Sequence, residues 1–359
     1  MPRGVAVVVA LATVLVGAVA PGARAQTTTT APPPPPPPKA WVLVDADTGA
    51  VVSGSREREP MLVASVFKVL TALVVVENLP LDADVPVSAR AAGMPARKMQ
   101  LQDGEVWRAS DLMHALLLAS ANDAAVALAE RVADSLEGFG GMLDQTAERL
   151  GLADSPVLRD PAGLDDEFSV DGGNLISARD LAIATRAFLA YDELTAIVGL
   201  PEHRFTGGDG EPHRLLNHNR LLKLYPGAVG VKTGYTKRAG HSLIGAATRD
   251  GRTMVAVVLG AADPYRSVMQ LLDTGFATPV PAQEALDHLP EVSLGNAREP
   301  DTGAAPAPRP VSTPRVSRAG ASAGIERDIA VLVVGTVPAL AILVRRRRSN
   351  RSAQPAWPI

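Results

Sequence analysis

Two stretches without a folding pattern limit where this chain can build a core. Residues 32–38 are seven consecutive prolines, which hold the backbone in an extended polyproline II form that enters neither helix nor sheet interiors. Residues 281–328 are rich in Ala, Pro, Ser and Thr without hydrophobic periodicity, so we expect a disordered linker there. A compact domain is therefore expected at residues 40–280, preceded by a Thr/Pro-rich spacer at residues 26–39.

The N-terminal segment, residues 1–25, has the composition of a secretory signal peptide. Arg3 supplies a positive start, an apolar run follows, and Ala23-Arg24-Ala25 fits the small-x-small rule for cleavage. An uncleaved N-terminal anchor is the alternative. In either case we expect the following domain to be exported.

The C-terminal segment predicts a membrane anchor. Residues 329–344 are apolar and uncharged, and four arginines open the tail at residues 345–359. The run is shorter than the roughly 20 residues of a typical spanning helix, but flanking arginines can extend it by snorkelling. Basic residues mark the cytoplasmic side of a span. The prediction is a single-pass cell-membrane protein with an extracytoplasmic domain and a cytoplasmic tail.

Composition excludes several function classes. The formal net charge is −3 and the isoelectric point is near 6.1, which gives no basis for a nucleic-acid partner. The chain has no cysteine, so disulfides, thiolate catalysis and cysteine-ligated metals are excluded. Its six histidines show no metal-ligand spacing such as His-Glu-x-x-His. We therefore expect neither a metal nor a cofactor.

The order of predicted elements defines the fold class. A strand at residues 41–45 and a returning strand at residues 50–52 form a hairpin, and helical patterns fill the middle of the domain. Strands at residues 229–235, 241–248 and 253–259 and a closing helix at residues 264–276 follow, with Asp250-Gly251 as a hairpin turn. This order predicts an α/β domain in which helices flank an antiparallel sheet and a mostly helical subdomain is inserted.

The run from Ser65 to Glu77 lacks Gly and Pro and is interpreted as a buried helix. Ser65 and Lys68 then lie on one face, one turn apart, at the helix N-terminus. Free N–H groups at that end favour developing negative charge. A hydroxyl, an amine and such a terminus are the parts of an acyl-transfer nucleophile. Taken alone, the tetrapeptide favours a capping serine and a solvated lysine over a catalytic pair.

Two later motifs favour the catalytic interpretation. Ser120-Ala121-Asn122 interrupts a helical pattern, and Lys232-Thr233-Gly234 lies on a predicted strand. Each motif alone is typical of a helix cap or a strand end. Ser-x-x-Lys, Ser-x-Asn and Lys-Thr-Gly in this order form the motif set of penicillin-binding proteins and β-lactamases.

On these motifs the chain resembles the serine-type D-alanyl-D-alanine carboxypeptidases, the low-molecular-mass penicillin-binding proteins. The likeness also includes Trp41–Asp45, Asp160-Pro-Ala-Gly-Leu164, Asn217-His-Asn-Arg-Leu-Leu222 and the segment from Gly230 to Thr236, and so covers the whole predicted domain. It implies the penicillin-binding protein fold, peptidoglycan stem peptides as substrate and β-lactams as covalent inhibitors. The chain departs from the family at Phe67, where Thr or Met is usual.

The resemblance assigns catalytic roles to five residues. Ser65 attacks the carbonyl of the penultimate D-Ala, and Lys68 removes its proton when neutral. A neutral Lys68 requires desolvation and a nearby positive charge, which Lys232 can supply. Ser120 relays a proton to the leaving amine, and Asn122 hydrogen-bonds the substrate amide or Lys68.

The resemblance also implies the substrate contacts. The backbone N–H groups of Ser65 and Tyr235, the residue after Gly234, form the oxyanion hole. Thr233 holds the terminal carboxylate of the substrate. Arg266 is a second candidate for this carboxylate, and a solvated arginine is the equal alternative.

Two other functions remain open at this point. A class A β-lactamase needs a deacylating glutamate in the central loop, in the pattern Glu-x-x-Leu-Asn. In this chain Glu167 is followed by Phe-Ser-Val-Asp instead. A catalytically silent penicillin-sensing or wall-binding protein would not need the complete set of motifs, which this chain retains.

Overall fold

The computed structural model describes residues 36–283 and 286–295. The predicted signal peptide, most of the spacer, the predicted transmembrane helix and the basic tail lie outside the described residues. Among the helices of the described part, none has the length and apolar character needed to cross a bilayer.

A five-stranded antiparallel sheet joins the two ends of the domain, as the sequence predicts. Its order is β2-β1-β11-β10-β9, with β1 at Ala40–Asp45, β2 at Val51–Ser55, β9 at Ala228–Thr236, β10 at Gly240–Arg249 and β11 at Arg252–Ala261. The first strand therefore pairs with the last, with Val42 opposite Val257. This pairing leaves the intervening residues to form the inserted helical part.

Short strands pair within the insertion. They are β3 (Met61–Leu62) with β6 (Leu175–Ile176), β4 (Asp84–Pro86) with β5 (Val106–Arg108), and β7 (Glu202–Thr206) with β8 (Pro212–Leu216). The helices are α1 (Lys68–Asn78), α2 (Ala89–Ala92), α3 (Ala109–His114), α4 (Asn122–Ala133), α5 (Leu136–Leu150), α6 (Ala178–Leu189), α7 (Asp192–Gly199), α8 (Leu221–Leu224) and α9 (Pro264–Ala277). The hairpin β7–β8 and helix α7 are absent from the sequence prediction.

The sheet buries a different core on each face because side chains alternate along a strand. On one face Leu43, Val258 and their neighbours pack against Val268 and Leu272 of α9. On the other face Val42, Val257 and their neighbours join the large apolar core of the helical part. That second core contains Phe67, whose side chain is completely buried. The residue that departs from the family pattern therefore packs inside the domain.

Folded residues continue past residue 280, where the sequence places the end of the domain. Residues 286–295 return to the folded surface, where Leu289 is buried and His288 pairs with Ala50 in a β-bridge. Asp287, whose carboxylate is largely exposed, forms an ion pair at 2.7 Å with the buried guanidinium of Arg179. The segment has no hydrophobic periodicity of its own. Partners far away in sequence hold it in place. We call residues 286–295 the C-terminal strap.

Candidate active site

Ser65 lies in a single 3-10 turn, Ala64–Phe67, that leads directly into α1. The sequence places the helix start within one residue but does not predict the tighter first turn. Ser65 is not the helix cap, because the cap position is Val63, which makes no side-chain bond. Its hydroxyl instead lies 2.9 Å from Nζ of Lys68 and 3.4 Å from the carbonyl oxygen of Ala162. The predicted nucleophile and the predicted base are therefore in direct contact.

Lys68 is completely buried among polar partners. Its Nζ lies 2.8 Å from Oδ1 of Asn122 and 2.5 Å from the carbonyl oxygen of Ala162, in addition to the Ser65 hydroxyl. A neutral amine has two N–H groups and one lone pair. In the ammonium form all three oxygens accept N–H groups of Nζ. In the neutral form the Asn122 and Ala162 oxygens accept its two N–H groups, and the lone pair is left for the proton of Ser65. The geometry thus matches a general base in its neutral form.

Burial is the main cause of the unusual basicity of Lys68. It lowers the pKa of the amine to about 7, against a smaller opposing effect from the carboxylates of Asp160 and Asp123. The sequence interpretation assigns this role partly to the charge of Lys232. The structure places the largest effect in desolvation.

Ser120 reaches the site through a break in a helix. A π-helical turn, Ala115–Ala119, follows α3 and ends at Ser120, which has left-handed backbone angles of φ 60° and ψ 34°. A π-turn adds one residue to the helical repeat, and such turns are frequent at functional sites. Helix α4 starts two residues later at Asn122. The predicted interruption is confirmed, and it points Ser120 and Asn122 toward two different lysines.

Lys232 is the partner of Ser120. Its buried Nζ donates to Oγ of Ser120 at 2.9 Å and to its neighbour's carbonyl, Thr233 O, at 3.0 Å. Burial lowers the pKa of Lys232 well below its usual range, and the charges of Lys68 and Arg97 lower it further. The charged forms of Lys68 and Lys232 are thus both less stable here than in water.

Strand β9 brings the Lys232-Thr233-Gly234 segment against the 3-10 turn. A Cβ atom at Gly234 would lie 2.9 Å from the backbone nitrogen of Val66 and 3.0 Å from that of Ser65, so only glycine permits this approach. Thr233 is half-buried beside it, and Tyr235 is 59% exposed with its ring 4.4 Å from that of His241. Backbone groups of both motifs therefore line one cleft.

Arg266 is not brought into this cluster. It is exposed on the first turn of α9, where its backbone N–H donates to Asp263, and its side chain lines a surface groove with Trp41, Gln270 and Thr274. Within the described residues, no hydrogen bond or ion pair joins it to the cleft. A role for Arg266 in carboxylate binding stays a prediction.

Two buried aspartates hold the loops around the site. Asp160 accepts backbone N–H groups of Ala162, Leu164 and Val170, which fixes the carbonyl that contacts Lys68. Asp123 accepts those of Met99 and Leu101 and thereby fixes the loop beside Asn122. Sequence reasoning includes Asp160 in a motif stretch but assigns neither aspartate a task. No sequence pattern reveals this role, because each aspartate accepts N–H groups from a loop of irregular backbone.

Arg97 and His218 also border the site and are missed by sequence reasoning. Nη1 of Arg97 donates to Nδ1 of His218 at 2.5 Å, and the backbone carbonyl of Arg97 accepts the N–H of Asn122 at 2.7 Å. Neither residue has a spacing signal, because they meet across a separation of 121 positions.

The sheet, the inserted helical part and the Ser–Lys pair at the start of α1 define the class of protein: an α/β fold of the penicillin-binding protein and DD-transpeptidase type. Solved structures of this fold superpose on the chain. A D-alanyl-D-alanine carboxypeptidase from Mycobacterium tuberculosis H37Rv is 29% identical with a TM-score of 0.65, covering 73% of this chain and 98% of that one. Penicillin-binding protein D2 from Listeria monocytogenes, in its ampicillin-bound form, is 27% identical with a TM-score of 0.56, covering 67% and 97%.

The sequence matches the peptidase S11 family, described as D-alanyl-D-alanine carboxypeptidase, over residues 26–263. The chain belongs to this family. D-alanyl-D-alanine carboxypeptidase DacF of Bacillus subtilis (strain 168) is 34% identical over 247 residues, which are 67% of this chain and 62% of that protein. The chain thus spans less than two thirds of the length of this relative.

Proposed function

We propose that this protein is a serine-type D-Ala-D-Ala carboxypeptidase that removes the terminal D-Ala from peptidoglycan stem peptides. The observation that carries the proposal is the contact between the Ser65 hydroxyl and a fully buried Lys68, beside a second pair formed by Ser120 and Lys232. Family membership supports the substrate, and the ampicillin-bound relative supports β-lactams as covalent inhibitors.

The reaction follows from these contacts. Oγ of Ser65 attacks the carbonyl carbon of the penultimate D-Ala while its proton passes to the lone pair of Lys68. Backbone N–H groups at Ser65 and Tyr235 stabilise the oxyanion. The C–N bond then breaks, and the leaving D-Ala amine takes the proton that Lys68 accepted, relayed through the Ser120 hydroxyl, so that Lys68 is neutral again. Lys68 then removes a proton from the water that attacks the ester carbonyl, and returns it to Oγ of Ser65 as the ester C–O bond breaks.

The experiment is mass spectrometry of the purified domain, residues 36–295, with diacetyl-Lys-D-Ala-D-Ala and with penicillin. We expect release of one D-Ala per peptide and a penicilloyl adduct on Ser65. Ser65→Ala should remove both signals, whereas Ser169→Ala should retain them, because the Ser169 hydroxyl only binds the carbonyl of Asp166. Adduct formation or D-Ala release by Ser65→Ala would show that the nucleophile lies elsewhere.

A β-lactamase is the second candidate, and the central loop argues against it. The group beside Ser65 and Lys68 is the Ala162 carbonyl, while Glu167 is exposed to solvent. Among the described residues, no carboxylate of this loop is hydrogen-bonded to Ser65 or Lys68, and that of Asp160 is bound by backbone N–H groups, unlike the deacylating glutamate of class A enzymes. Slow nitrocefin turnover with a persistent acyl-enzyme is expected; rapid turnover would favour the lactamase.

We further propose that the chain is a single-pass cell-membrane protein with its domain outside. The support is the signal-like residues 1–25 and the apolar residues 329–344 followed by four arginines. Protease added to intact cells should release the domain by cutting within residues 296–328. Protection of that stretch would mean that the orientation is inverted.

A further inference from the structure

A group of cations without a carboxylate partner borders Ser120 and Lys232. Arg97 is exposed, and within the described residues its side chain makes no ion pair. Its guanidinium is hydrogen-bonded to the ring of His218. His218 accepts that bond as a neutral imidazole, since burial and the charges of Arg97 and Lys232 lower its pKa to about 4.

Several hydrogen bonds hold this group in place. The backbone carbonyl of Arg97 is bound to the N–H of Asn122, and Nδ2 of Asn122 donates to the carbonyl of Pro95 at 3.1 Å. On the opposite side the hydroxyl of Tyr265 donates to the carbonyl of His218 and accepts the N–H of Arg220, both at 3.2 Å. The backbone of Arg97 and the ring that contacts its guanidinium are therefore both held in place.

The chemistry of the leaving group indicates what these cations meet. Ser120 protonates the amine of the departing D-Ala, and the carboxylate of that residue is only one carbon atom away from this amine. A pocket that adjoins Ser120 and Lys232 is consequently the pocket of the leaving residue. An arginine side chain presents a fork that matches a carboxylate.

Resting on the proposed function, we propose that Arg97, positioned by His218, is a specificity-determining contact for the terminal carboxylate of the substrate. It assists Thr233 from the opposite side of the leaving residue. Arg266, which the sequence suggests for this role, faces a groove lined by α9 and β1 residues. The carboxylate also neutralises the positive charge of Arg97 beside Lys232.

The test compares Arg97→Gln and Arg266→Gln on two substrates, diacetyl-Lys-D-Ala-D-Ala and its C-terminal amide. Arg97→Gln should raise KM for the acid roughly tenfold to a hundredfold, with a small effect on kcat, as expected for a lost charge-assisted hydrogen bond. The amide should be cleaved as by the parent protein, so the preference for acid over amide collapses. Arg97→Lys should recover part of that preference, and Arg266→Gln should not change it.

Other outcomes overturn the proposal in distinguishable ways. Equal losses on acid and amide would make Arg97 structural, and an unchanged preference would remove it from the pocket. A loss seen only with a peptide whose third residue carries a side-chain carboxylate would assign Arg97 to that group instead. If the parent protein cleaves neither substrate, the proposed function itself fails.

Discussion

Lys68 and Lys232 are buried lysines of one cleft, but their surroundings differ. Lys68 has three polar partners of neutral charge, the Ser65 hydroxyl, the Asn122 amide and the Ala162 carbonyl, which together use every hydrogen-bonding position of a neutral amine. We call this the base side. Lys232 meets Ser120 and a backbone carbonyl, with Arg97 and His218 nearby, and we call this the leaving-group side.

The difference teaches how one cleft can handle two lysines with separate tasks. The base side is complete before substrate arrives, so Lys68 needs no ligand to become neutral. The leaving-group side is short of negative charge, so an anionic substrate raises the pKa of Lys232 and restores its charge. Substrate binding therefore changes the second lysine more than the first.

The largest effect is expected from Lys68→Ala, which removes the base. Acylation by penicillin should fall by about 10²- to 10⁴-fold, the usual contribution of a general base. Stopped-flow or gel-based labelling with a fluorescent penicillin measures this rate. Lys98→Ala is the matched control, because Lys98 is exposed and only contacts the carbonyl of Ala92. A Lys68→Ala protein that acylates within tenfold of the parent would break the assignment of the base side.

A smaller loss is expected from Gly234→Ala, which pushes β9 away from the 3-10 turn. The added Cβ would lie 2.9 Å from the backbone nitrogen of Val66, so the strand must shift. A misplacement on the order of 1 Å costs roughly a hundredfold in rate. The control is Gly141→Ala in α5, where a Cβ meets nothing within 4 Å. Equal acylation rates for both variants would show that the close approach is not needed.

The smallest effect concerns pH and separates the two sides directly. A lysine base acts when neutral, so kcat/KM should rise as pH increases through about 7, the pKa of Lys68. Asn122→Asp places a carboxylate 2.8 Å from Nζ and favours the cation, so the rise should move up by roughly one pH unit or more. Asn78→Asp, at the exposed end of α1, should leave the profile unchanged.

Profiles of kcat/KM against pH for the parent protein and for Asn122→Asp, Asn78→Asp and Arg97→Gln provide the measurement. If Asn122→Asp shifts nothing, the titrating group is not Lys68. A limb near 7 that disappears only in Arg97→Gln would instead place the titration on the leaving-group side.

Much of the frame is predictable because it depends on local patterns. The Ser177 cap of α6, the Gly151 stop of α5 and the three long strands at the end of the domain are all recognisable from the residues themselves. The Ser–Lys contact follows from a spacing of three on one helix face. These features need no knowledge of distant partners.

The remaining parts depend on contacts between distant segments. The π-turn before Ser120 has the composition of an ordinary helix, and the β7–β8 hairpin was not predicted at all. Arg97 meets His218 only once loop and hairpin are assembled. The sequence predicts a linker at the strap, because the strap is held by Arg179, Arg186 and Glu77, which are far from it in sequence.

The C-terminal strap also decides how tension would enter the enzyme. Any pull on the chain beyond residue 295 first loads the bond from the Gly295 N–H to Glu77, then the backbone bonds of Leu289 to Gly49 and of Val51 to Asp287. Only after these have yielded does the load reach α9. An enzyme tethered through this end, as proposed, could release ten residues of slack while Ser65 and Lys232 stay in register.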